Sequence, residues 1–182
     1  MGYVPSRGTQ PYYFVDSPSK DYSLTTNCFT HACFNLTNEL IDRIGLNFDD
    51  SVTFSIGHIL DQKDAEVKFT NFLKQVGLSV KQLSNTDLIN DFPSLLRENE
   101  WVVALYFCDS EYFKDFHFFL QEKNESWSGK YGYKNIVEHF DELPACYTSP
   151  NIQQDKYYFV SKYIIENPFA KNTKEYNEHE NS

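Results

Sequence analysis

The feature that most constrains the fold is an uninterrupted apolar run from Trp101 to Cys108. Such a run predicts a strand buried on both faces, because a strand with one exposed face alternates apolar and polar residues. Two further segments, 115–121 and 157–165, are rich in aromatic and β-branched residues and favour strands as well. Residues 123–125 predict a hairpin loop that follows the first of them. The chain after residue 100 is therefore predicted to form an antiparallel sheet.

The first half of the chain predicts helices. Over residues 26–44, apolar side chains recur at steps of three and four, and Gly45 suits the residue that ends a helix. A second helix is predicted to begin at Asp61 and to end at Gly77, with Ala65, Phe69, Phe72, Leu73 and Val76 on one face. Helices followed by an antiparallel sheet indicate the α+β class.

The length of 182 residues suits one domain, which we place over residues 1–170. It begins with an extended segment, 1–24, because three prolines there disfavour helix. Residues 171–182 are polar and are predicted to form a flexible tail.

Composition limits the partners. A net charge of −10 without any basic stripe argues against nucleic acid, and an acidic surface is compatible with a protein or peptide substrate. No apolar run approaches the roughly 20 residues of a membrane span. The first residues do not resemble a signal peptide, so we expect a cytoplasmic protein or one secreted by a signal-peptide-independent route. We expect no cofactor, and the oligomeric state stays open.

Cys28 is the candidate nucleophile, because the first turn of a helix offers backbone N–H groups and a dipole that favour a thiolate. His117, in the middle of a predicted strand, is the candidate base. The alternative is a half-buried sheet histidine with a structural role. His31 follows Cys28 by three residues, an alignment poorly suited to proton transfer, so we expect a surface role for it. A zinc ion held by Cys28, His31 and His117 is a weaker alternative, because no fourth ligand is evident.

A third residue is needed to orient the base. Asn135, Asp141 and Glu142 qualify by position, and Asp141 would give an imidazolium the stronger electrostatic support. Asn135 could fix only its orientation, and all three could be ordinary turn residues. Asn27, together with the backbone N–H of Cys28, could stabilise an oxyanion or could cap the helix.

Two stretches of the sequence resemble segments of known proteins. The sequence NCFTHA (27–32) resembles the Asn-Cys-aromatic-x-x-Ala opening of papain-like cysteine enzymes, a superfamily that includes NlpC-type peptidases and transglutaminase-like proteins. The sequence DFHFFLQEKNESWSGK (115–130) is similar to a segment of poorly characterised bacterial proteins. The resemblance implies a Cys28–His117 dyad completed by a following Asp or Asn. It also implies a papain-like arrangement, in which an N-terminal helix carrying the nucleophile packs on a C-terminal antiparallel sheet.

These observations lead to a thiol-dependent hydrolase or acyl transferase that acts on an amide bond, of the peptidase, deamidase, isopeptidase or transglutaminase type. The alternative function is a non-catalytic protein-interaction module on the same scaffold. The acidic composition, rich in Asn and Lys, also resembles effector proteins that intracellular bacteria inject into host cells.

Overall fold

The computed structural model describes residues 28–34, 59–75, 77–83, 96–97, 100–111, 114–122, 125–130, 137–148 and 155–166. Seven strands form one sheet in these residues: β1 (Ser79–Gln82), β2 (Glu100–Asp109), β3 (Lys114–Gln121), β4 (Trp127–Lys130), β5 (Val137–Phe140), β6 (Cys146–Thr148) and β7 (Lys156–Glu166). Their order is β1-β7-β2-β3-β4-β5, with β6 paired to β7, and every pairing is antiparallel.

The strand β2 lies at the centre of the sheet, between β7 and β3, and its residues 101–108 are all buried. Side chains alternate along a strand, so β2 contributes to a hydrophobic cluster on each face. Val103, Leu105 and Phe107 belong to one cluster, and Val102, Ala104 and Tyr106 to the other. The predictions of a central buried strand and of strands over 115–121 and 157–165 are therefore confirmed.

One long helix, α1 (Gln62–Gln75), packs against the sheet through Ala65, Phe69 and Leu73. Asp61 caps its N-terminus, because the Asp61 carboxylate accepts a hydrogen bond of 2.8 Å from the backbone N–H of Asp64. Gly77 follows the helix at φ 88°, in the left-handed region that glycine adopts without strain. The second predicted helix is confirmed.

The α+β, papain-like fold prediction is wrong for the described part of the chain. Strands account for more than half of these residues, and α1 is their one long helix. Of the helix predicted over 26–44, the structure describes residues 28–34, which are helical at Cys28 and Phe29 and form a π-helix over Thr30–Phe34. The sheet is larger than expected because it recruits β5 and β6, which are short and largely half-buried and so lack a clear alternating pattern.

The prolines of segment 1–24 and the tail 171–182 lie outside the described residues. In the part of the chain that the structure describes, no helix is long and apolar enough to cross a membrane.

Candidate functional site

The stretch 28–34, called the Cys28 segment below, lies against β3 and β4. The strand β4 pairs with β3 only through Ser128 and Trp127, which leaves the outer edge of β3 to be covered by this segment. Phe29 packs against β3, with its ring centroid 5.2 Å from that of Phe118. The indole N–H of Trp101 donates a hydrogen bond of 3.0 Å to the backbone carbonyl of Ala32. The apolar residues predicted for one helix face therefore anchor the segment in the core.

The thiol of Cys28 is buried at this edge. Burial raises the pKa of the Cys28 thiol to about 12, and the negative charge of Asp115 acts in the same direction. The backbone N–H groups of Phe118 and Phe29, which donate to the sulfur, and the charge of Lys130 have the opposite effect but do not outweigh burial. The prediction of a lowered pKa for Cys28 is wrong, although its expected cause, backbone N–H donation, is present.

The imidazole of His117 is buried among aromatic rings. It stacks on Tyr147 with centroids 4.5 Å apart and meets the ring of Phe119 at 4.7 Å. Burial lowers the pKa of His117 to about 3, so the ring is neutral near pH 7. Its Nε2 atom is inaccessible and has no hydrogen-bond partner in the part of the chain that the structure describes. A buried nitrogen without a hydrogen bond lowers the stability of the folded state, so its presence here points to a role other than stability.

Cys28 and His117 approach β3 from different sides. Cys28 packs in the cluster that contains Phe116 and Phe118, and alternation along the strand turns His117 towards the opposite face. The backbone N–H of Phe118, the residue directly after His117, donates to the Cys28 sulfur. The thiol is therefore held against the backbone beside His117, and the two side chains can meet only around the edge of β3.

Gly129 of β4 lies close to His117. A Cβ atom at position 129 would stand 3.2 Å from Nε2 of His117 and 2.7 Å from the ring of Phe119. The absence of a side chain at Gly129 therefore makes room for the imidazole where β4 leaves β3.

Two hydrogen bonds fix the aromatic wall around His117. The Tyr147 hydroxyl donates to the Glu138 carboxylate at 2.7 Å, and the Tyr157 hydroxyl donates to Asp115 Oδ2 at 2.7 Å. Burial raises the pKa of Asp115, whereas the Tyr157 hydrogen bond partly offsets this effect. The ring on which His117 stacks is thus held in place from β5.

A buried polar network adjoins the Cys28 segment. Nε2 of His31 lies 3.1 Å from Ser128 Oγ, and that hydroxyl donates a hydrogen bond of 2.5 Å to the Glu122 carboxylate. His31 is 2% exposed, so the prediction of a surface role for it is wrong. Burial, with a contribution from the charge of Lys130, lowers the pKa of His31 to about 3. The serine stands between the imidazole and the carboxylate, so this is not a nucleophile–base–acid triad, in which the imidazole is central.

No contact within the described residues identifies the residue that would orient His117. Asp141 and Glu142 are exposed in a bend after β5, and no hydrogen bond joins Asp141 to His117 within the described residues. Asn135 and Asn27 lie outside the described residues. The roles proposed for Asp141, Asn135 and Asn27 stay predictions.

Across the described ranges, no group of three His, Cys, Asp or Glu side chains is arranged to hold a metal ion. Cys28, Cys33, Cys108 and Cys146 all have free thiols. Cys33 and Cys108 are buried among apolar residues, as expected for core cysteines.

Three residues of the site carry no sequence signal that would have identified them. Glu122, Ser128 and Lys130 are polar residues in or beside a hairpin, where polar residues are ordinarily exposed, yet all three are buried. Their burial follows from the Cys28 segment, which comes from a distant part of the chain.

The chain matches no known protein family, and no curated protein matches its sequence.

Proposed function

We propose that the protein is a thiol-dependent hydrolase or acyl transferase that acts on an amide bond, with Cys28 as the nucleophile and His117 as the base. The observation that supports it most directly is the buried Nε2 of His117, which has no hydrogen-bond partner among the described residues. The unused nitrogen of the neutral imidazole offers a lone pair for the proton, and burial of His117, which lowers its pKa, opposes this transfer.

The burial of both groups determines the form of the mechanism. Because burial raises the pKa of Cys28 and lowers that of His117, the resting pair is a neutral thiol and a neutral imidazole. The proton therefore passes from Cys28 to His117 as the sulfur attacks the carbonyl carbon, instead of residing on the imidazole beforehand.

The remaining steps form and then cleave a thioester on Cys28. The new S–C bond gives a tetrahedral oxyanion, the C–N bond breaks, and protonated His117 returns the proton to the leaving nitrogen. The thioester on Cys28 is then cleaved by water or by an amine; His117 removes the proton of the attacking group and returns it to the departing sulfur, which restores the Cys28 thiol. Peptidase, deamidase, isopeptidase and transglutaminase reactions share these steps, and we propose a protein or peptide substrate. This is the chemistry that the resemblance to papain-like cysteine enzymes implies, and cytoplasmic or host-cell locations remain part of the proposal.

The test uses electrophilic amide-based and ubiquitin-like probes that form a covalent bond with a nucleophilic thiol. Cys28→Ala is expected to abolish covalent capture and to leave the thermal stability nearly unchanged. The matched control is Cys33→Ala, which removes the other buried cysteine of the same segment and should leave capture intact. His117→Gln should reduce capture strongly, because the base is lost while a polar side chain of similar size remains.

Equal capture by the wild-type protein and Cys28→Ala would contradict the proposal. That result would favour the second candidate function, a non-catalytic protein-interaction module. The observation in favour of this alternative is the burial of Cys28, which opposes the ionisation that a nucleophile needs.

A further inference from the structure

Lys130 is an unusual residue, because its side chain is completely buried. Lysine is almost never fully buried unless it is paired, since an isolated ammonium loses much of its hydration. Burial lowers the pKa of Lys130 to about 8, and the negative charge of Cys28 acts in the opposite direction. The neighbours of Lys130 therefore decide whether the ammonium persists near pH 7.

The register of β4 places Lys130 beside Cys28. Ser128 and Lys130 are two residues apart on one strand, so their side chains share a face. On that face Ser128 is hydrogen-bonded to His31, which follows Cys28 by about one helical turn. A spacing of two residues along β4 and of one turn along the Cys28 segment therefore places Lys130 on the face of β4 that the Cys28 segment covers. The charges of Lys130 and Cys28 interact, as the effects on both pKa values show.

We propose that Lys130 is the cationic partner of the Cys28 thiolate, a positioning residue that stabilises the ionised sulfur during the reaction. The inference rests on the proposed function, because a thiolate at Cys28 matters only if Cys28 reacts. Lys130 keeps its own protons, and the proton of Cys28 still passes to His117. The sequence had assigned this stabilising role to a helix N-terminus, whereas the geometry points to a lysine 102 residues further along the chain.

Several other titratable groups face Cys28. Asp115 of β3 opposes ionisation through its negative charge, and Cys33 and Tyr157 also interact with the sulfur. Burial raises the pKa values of Cys33 and Tyr157 well above neutrality, and it keeps His31 neutral near pH 7. Lys130 is therefore the cation among these neighbours, and its titration near pH 8 gives the inference a specific signature.

The signature is a break in the pH dependence of Cys28 alkylation by iodoacetamide, followed by mass spectrometry of the Cys28 peptide. Below the Lys130 pKa of about 8, the thiolate fraction rises about tenfold per pH unit. Above it, the thiolate–ammonium and thiol–amine forms carry the same number of protons, so their ratio no longer depends on pH. The alkylation rate of the wild-type protein is therefore expected to level off above about pH 8.

Three variants assign the break to Lys130, with circular dichroism as the check on folding. In Lys130→Met the rate near pH 7 should fall about tenfold or more, and the rise should continue without a break. In Lys130→Arg the guanidinium stays charged, so the rate near pH 7 should stay within about threefold of the wild-type rate and the break should vanish. The control Lys162→Met removes a half-buried lysine that lies over Trp127, and it should keep the wild-type profile.

An unbroken tenfold rise per pH unit in the wild-type protein would overturn the inference, whether or not the Lys130 variants fold. A break that persists in a folded Lys130→Met variant would overturn it too. A Cys28 that does not react at any pH would instead overturn the proposed function, and the inference with it. If alkylation follows Lys130 but no amide probe is captured, the charge pair stands and the catalytic proposal fails.

Discussion

Gly129→Ala tests the geometry around His117, because the structure leaves almost no room for a methyl group there. The new Cβ would lie 2.7 Å from two ring carbons of Phe119 and 3.2 Å from Nε2 of His117. Phe119 cannot move aside easily, since it is completely buried and its ring contacts those of Tyr106 and Phe140. Overpacking of this kind typically lowers the free energy of unfolding by about 1–3 kcal/mol.

Equilibrium urea unfolding, followed by the fluorescence of the two buried tryptophans, measures this loss. The second measurement is Phe119→Leu, alone and combined with Gly129→Ala. If the methyl clashes with the ring, the smaller leucine makes room, and the double variant should lose at least about 0.5 kcal/mol less than the two single losses together. A Gly129→Ala protein within about 0.5 kcal/mol of the wild-type stability would contradict the predicted clash with Phe119, because an uncrowded surface change has that size.

Two further predictions concern stability. Tyr157→Phe removes the hydrogen bond to the largely buried Asp115 and should lower the free energy of unfolding by about 1–3 kcal/mol, whereas Tyr158→Phe at the exposed neighbouring position should change it by less than about 0.5 kcal/mol. The pKa of His31 is lowered from 6.5 to about 3, so its neutral form stabilises the fold above pH 6.5, and that contribution is lost as the pH falls towards 3. His31→Gln should therefore flatten the acid dependence of urea unfolding in this window by up to about 1.4 kcal/mol per pH unit, and an unchanged slope would contradict the burial of a neutral His31.

The parts of the fold that the sequence predicts well are those governed by local patterns. The apolar run 101–108 has no polar position that could face water, so its central place in the sheet follows almost directly. The helix α1 was predictable because Asp61 and Gly77 mark its ends and its apolar residues recur on one face. The strands β5 and β6 were missed, because strands of four and three residues with mixed burial leave no periodic signal.

The electrostatic environment of Cys28 differs from the one that the sequence predicts. Cys28 does receive a backbone N–H from its own segment, as expected for a helix start, but the other donor comes from β3. Burial then reverses the net effect on the thiol, and burial is a property of the whole fold that no local pattern carries. His31 shows the same limit, since its partner Ser128 lies 97 positions away in the chain.

The place of β7 in the sheet has a consequence during synthesis on the ribosome. This strand comes last among the described elements, yet it lies between β1 and β2 and pairs with both. While the nascent chain is being extended, β1 has no partner and one edge of β2 is uncovered until residues 156–166 have left the exit tunnel. Uncovered strand edges pair readily with other chains, so the edges of β1 and β2 are open to such pairing until β7 has been made.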